Sequence, residues 1–79
     1  LVRIALEYDE VENTISRITI SGDFFLYPEE ALEILEANLV GKKLERETLK
    51  QEIGNCLEDI EVYGFNSTSL AEAIVGCKT

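Results

Sequence analysis

The chain has 79 residues, 46% of them hydrophobic, with 7 basic against 16 acidic side chains and a net charge of −9. That length sets one small domain over 1–79, burying only about 60% of its unfolded surface, with little room for a deep pocket, and the hydrophobic content argues against disorder. The charge disfavours phosphate backbones and anionic membranes: the one basic cluster, Lys42, Lys43 and Arg46, is diluted by Glu45 and Glu47, whereas acidity suits a basic partner surface.

Val2, Ile4, Leu6 and Tyr8 alternate with polar or small residues, which predicts a half-buried strand from Leu1 to Asp9. Asp9 to Asn13 is polar and turn-like. Alternation resumes over Thr14 to Ser21, with Ser16, Ile18 and Ile20 on one face and Ile15, Arg17 and Thr19 on the other. The two strands make an antiparallel hairpin. Gly22 then breaks the strand, and the adjacent Phe24 and Phe25 must point to opposite sides of an extended chain, one into the core and one outward.

Pro28 fits the first position of a helix, followed by Glu29 and Glu30 where the dipole favours acids. Its apolar stripe of Leu32, Leu35 and Leu39, with Ala31 and Ile34, runs to Val40, with Gly41 at the position after the helix end. Leu49, Ile53, Leu57 and Ile60 predict a second helix from Glu45 or Arg46, weakened by the poor cap Glu45 and by Gly54. Glu61 to Phe65 reads either as a short third strand or as a connection. Asn66 or Ser67 caps a last helix ending near Gly76. The order is β-β-α-α-(β)-α: an α+β fold whose small antiparallel sheet, a hairpin with or without a third strand, is covered by three helices.

Few residues invite chemistry. With no histidine in the chain, none completes a zinc site beside the two distant cysteines, and Ser/His and Cys/His pairs are unavailable. Cys56 and Cys77 form no C-x-x-C pair and read as reduced thiols of a cytosolic chain, with a disulfide between the last two helical segments as the alternative. The carboxylate clusters lack the spacing of a calcium loop and read as solvated faces. Gly41-Lys42-Lys43 lacks both the upstream glycine and the hydroxyl of a phosphate loop. Asn66-Ser67-Thr68 matches a glycosylation sequon but reads as helix capping. Asp23 either binds a partner or accepts backbone hydrogen bonds in its turn. Phe24 and Phe25 are core or interface, and Tyr27 beside them suits an interface rim. No apolar run approaches the length of a membrane span and no signal peptide is evident. Strand character at the first residue implies a segment upstream.

The run Ile18-Thr19-Ile20-Ser21-Gly22-Asp23-Phe24-Phe25, then Pro28-Glu29-Glu30-Ala31-Leu32, the helix end Leu39-Val40-Gly41, Gly64-Phe65 and Leu70-Ala71-Glu72 resemble the small accessory domain of lipoate–protein ligases over most of the chain. The Gly-Asp-Phe-Phe block carries most of the resemblance; the helices are generic. The resemblance implies a non-catalytic, cytoplasmic partner of a large catalytic subunit or domain, either as the separate small subunit of a bipartite ligase or as an excised domain. It implies that the large component binds lipoate, ATP and magnesium and forms lipoyl-AMP, with the small domain needed for that adenylation. The lipoyl group then passes to lipoyl domains of 2-oxoacid dehydrogenases or to the glycine-cleavage H protein. A Gly-Gly-Lys-like turn usual before the first strand is not in this sequence, and no catalytic residue of the family maps onto it. No catalytic, cofactor or metal residue is assigned to this chain. Gly22, Asp23, Phe24, Phe25 and Tyr27 are the expected partner contact. The other readings are an acidic interaction module unrelated to lipoate, whose binding would fall steeply with salt, and a small enzyme using Asp23.

Overall fold

The structure, a computed structural model, describes residues 2–77. Strands β1 (Val2–Asp9) and β2 (Thr14–Gly22) form the expected antiparallel hairpin; Leu1, read as the start of the first strand, lies outside the described residues. The turn is held locally. Asp9 Oδ1 accepts from the Val11 and Glu12 amides at 2.8 and 3.0 Å, and Asn13 takes the left-handed conformation that asparagine tolerates (φ 58°).

One face of β2 differs from the sequence expectation. Glu7 pairs with Arg17 and Tyr8 with Ile15, so Ser16 is an extra residue on β2. This bulge resets the two-residue alternation. Ile15 therefore joins Ile18 and Ile20 in the core, while Ser16, assigned to that face, is exposed along with Arg17.

Strand β3 (Phe25–Tyr27) follows at once and leads to α1 (Glu30–Leu39). Pro28 does not open the helix. The chain is extended through Tyr27, and Pro28–Glu29 supply the turn into α1, their carbonyls accepting from Ala31 and Leu32 at 3.1 and 3.2 Å. The far end is as expected: Gly41 follows the cap with φ +88°, a left-handed position that glycine takes without strain. The chain after α1 closes the free edge of β2. The Gly41 amide donates to Ile15 O (2.7 Å), Ile15 N to Lys42 O (3.0 Å), and Leu44 N to Asn13 O (2.8 Å).

Helix α2 (Arg46–Cys56) begins at Glu45 with no side-chain cap, and stops short of the expected Ile60. Gly54 and Asn55 are weak helix formers. A turn closed by Ile60 N to Leu57 O (3.1 Å) then sends the chain into β4 (Glu61–Tyr63). This settles the ambiguous segment as a strand, but one paired antiparallel with β3 and not with the hairpin. There are thus two two-stranded sheets in place of one. Helix α3 (Ser67–Gly76) starts at a reciprocal cap, Asn66 Oδ1 accepting from Ser69 N (2.8 Å) while Asn66 N donates to Ser69 Oγ (3.0 Å).

Helix α1 packs on β2 and β3, α3 on β1, and α2 against both other helices. Ile15, Leu35, Leu39, Leu49, Ile53 and Ile74 fill the centre, all essentially inaccessible. The half-buried Val2, Ile4, Leu6 and Tyr8 of β1 close it from the sheet side. The ion pairs Arg17–Glu7 (3.7 Å) and Arg46–Glu72 (3.5 Å) are exposed and add little. Cys56 and Cys77 are free thiols. Among the described residues no helix is long and apolar enough to cross a membrane.

A side chain, not another strand, meets the β2 edge near its far end. Glu36 Oε2 accepts from the Ile20 amide at 2.7 Å in a partly buried setting, tying α1 to the sheet. Glu36→Ala leaves that amide unpaired and is expected to cost about 2 kcal/mol, with Glu36→Gln losing less because it keeps an acceptor. Thermal melts check this; an unchanged midpoint for Glu36→Ala would remove the role given to this bond.

Candidate functional site

Three of the six exposed large hydrophobic side chains among the described residues lie on the β3–β4 ribbon. Phe25 faces Tyr63 and Tyr27 faces Glu61 across the pair, with Leu26 facing Val62 between them. Strand alternation puts Leu26 inward, 4% exposed, and the flanking residues outward. Phe25, Tyr27 and Tyr63 are 51%, 62% and 61% exposed, on one side of the ribbon. The Phe25 and Tyr63 rings lie 6.3 Å apart, tilted by 42°. Three-residue strands can be held out this way only if their other face is anchored. Leu26 and the half-buried Phe24 provide that anchor, Phe24 meeting Phe65 edge-to-face at 5.2 Å and 81°.

Gly64 makes the junction between ribbon and core close-packed. It has φ +111°, and a Cβ there would lie 2.8 Å from Phe24 Cβ and 2.9 Å from both Asp23 O and Phe24 Cα. Only glycine allows this approach of two backbones. Beside the ribbon, Phe24, Phe25, Leu26, Glu29 and Leu32 line a shallow, open depression.

The structure thus divides the residues singled out from sequence. Phe25 and Tyr27 lie on the outward face. Phe24 turns inward, which satisfies the expectation that the two phenylalanines part company. Gly22 ends β2 with φ 132°, where the chain leaves the sheet. Asp23 is exposed, and its carboxylate takes no part in a side-chain hydrogen bond among the described residues. Asp9, not Asp23, is seen to hold a turn among the described residues. Sequence reasoning missed Tyr63 and Glu61. The available signal was the matching pattern of Phe25-Leu26-Tyr27 and Glu61-Val62-Tyr63, each with a central aliphatic residue between outward-facing neighbours.

The segments that build the ribbon and the helix after each of its strands carry charge of one sign. From Ile18 to Gly41, and again from Gln51 to Cys77, every charged side chain is a carboxylate. These segments contain the ribbon, α1 and α3. They offer no cation to hold a phosphate. Among the described residues no three His, Cys, Asp or Glu side chains converge on a metal-sized space.

Residues 3–75 match the family model described as bacterial lipoate protein ligase C-terminus. A lipoate-protein ligase A subunit 2 from Thermoplasma acidophilum is 44% identical over 46 residues, covering 58% of this chain and 47% of that protein. The alignment therefore spans about half the length of that curated relative. The fold is similar to that of a chain solved in a study of an archaeal lipoylation system, a bi-partite lipoate protein ligase and its E2 lipoyl domain from Thermoplasma acidophilum. The TM-score is 0.78 at 30% identity, over 92% of this chain and 80% of that one.

Proposed function

As this chain belongs to the lipoate protein ligase C-terminal family, we propose that it is the non-catalytic accessory component of a bipartite, cytoplasmic ligase, required for ATP-dependent activation of lipoate by a separate catalytic subunit. The observation that carries this is the match of residues 3–75 to the ligase C-terminus family, and the likeness to a subunit 2 of a lipoate-protein ligase A supports a separate catalytic partner. The lipoate, ATP and magnesium sites are assigned to the catalytic partner. The acceptors are lipoyl domains of 2-oxoacid dehydrogenases or the glycine-cleavage H protein.

The physical role is to complete the partner's site. An acyl-adenylate is hydrolysed readily, and a domain docked beside it excludes water and fixes the loops around it. A rigid aromatic surface suits that task better than a flexible one, because little order has to be imposed on binding. The test supplies the catalytic subunit with either lipoate and ATP or preformed lipoyl-AMP. This chain should be required for lipoylation in the first case and dispensable in the second. A requirement in both cases, or in neither, would overturn the adenylation role.

A further inference from the structure

We infer that the outward face of the β3–β4 ribbon is the docking surface for the catalytic partner, and that it receives an arginine set among apolar side chains on that partner. The inference rests on the accessory role proposed above and specifies its contact. Phe25, Tyr27 and Tyr63 form a contiguous exposed aromatic surface, the kind that anchors interfaces. Glu61, paired with Tyr27 across the ribbon and exposed, puts a carboxylate on the same face. Glu29 lines the depression on the Phe25 side.

Aromatic faces beside a carboxylate select a cation. A guanidinium can stack on a ring while its N–H groups pair with the acid, a combination that an ammonium ion matches less well. The charge of the surrounding segments points the same way, since every charged side chain from 18 to 41 and from 51 to 77 is acidic. It also argues against a second copy as the occupant. Two chains of net charge −9 would bring identical carboxylates together.

The test is titration calorimetry of this chain against its catalytic subunit at about 50 and about 500 mM salt, together with pyrophosphate exchange by the same mixtures. Phe25→Ala, Tyr63→Ala and Glu61→Lys should each weaken binding by about tenfold or more. Glu61→Gln should weaken it less and flatten its salt dependence. Glu72→Gln, at the exposed ion pair with Arg46, should bind as the parent does. Tyr63→Thr, which keeps strand preference, repeats the measurement if Tyr63→Ala melts early.

If the parent chain binds and stimulates exchange while Phe25→Ala, Tyr63→Ala and Glu61→Lys all bind within about twofold of it, the docking inference is lost and the accessory role stands. If the parent neither binds nor stimulates, the accessory role itself fails. Sedimentation that reveals a dimer broken by these same variants would assign the face to a second copy. Loss of affinity for an isolated lipoyl domain, with the catalytic subunit unaffected, would assign it to the acceptor. Either result overturns the inference.

Discussion

Gly64→Ala is expected to lower stability by about 3 kcal/mol, combining a left-handed backbone with contacts no Cβ can keep. The backbone sits at φ +111°, and the added carbon would meet Phe24 Cβ at 2.8 Å and the Asp23 carbonyl oxygen at 2.9 Å. Two of the obstructing atoms are main chain, so no rotamer change relieves them. Relief requires the β3 entry to move away from β4, which unseats Phe24 from Phe65 and tilts the outward aromatic face. A domain of this size has about 4–12 kcal/mol of stability in all, so the loss is a large share of it. Gly54→Ala is the internal control. It lies within α2, meets nothing within 4 Å and should gain up to about 1 kcal/mol. Urea unfolding of the two variants separates the cases, and a Gly64→Ala protein within about 1 kcal/mol of the parent would refute the close approach described here.

Leu35→Ala is expected to cost about 4 kcal/mol, near the upper part of the range for buried leucines. Leu35 is fully buried at the middle of α1, where that helix meets β2 and α2. The size of the penalty depends on how far the surroundings can close over the lost carbons. Here they can close little, because α1 is tied at two places. Glu36 holds the Ile20 amide, and the Gly41 amide holds the Ile15 carbonyl just past the helix end. One residue away, Ile34, which the sequence places on the apolar stripe, falls at its edge and is 58% exposed, so its replacement by alanine should shift stability by no more than about 0.5 kcal/mol. Equal losses for the two variants would contradict the packing of α1.

The parts of this fold that could be read from the sequence are those determined within a few residues. Alternation in β1, the glycine after α1 and the Asn66 cap all depend on local backbone chemistry, and all lie where the sequence places them. The departures come from pairing between distant segments. A single inserted residue at Ser16 exchanged the faces of Ile15 and Ser16, and a bulge leaves no mark in composition. Strands β3 and β4 are three residues each, too short to display a period, and each depends on the other, some 35 residues away, for its hydrogen bonds. The same non-local pairing explains why Tyr27 and one of Phe24 and Phe25 were legible as surface aromatics while Tyr63 and Glu61 were not. It also explains the early end of α2, where the chain must straighten to reach β3 even though Leu57 and Ile60 continue the apolar stripe.

We propose that this domain enables a partner to activate lipoate. Lipoate-dependent exchange of pyrophosphate into ATP by the catalytic subunit, with and without this chain, tests it most directly. Exchange only when both components are present is the predicted result. Full exchange by the catalytic subunit alone, unchanged on adding this chain, would contradict the claim and leave an acidic interaction module as the better account.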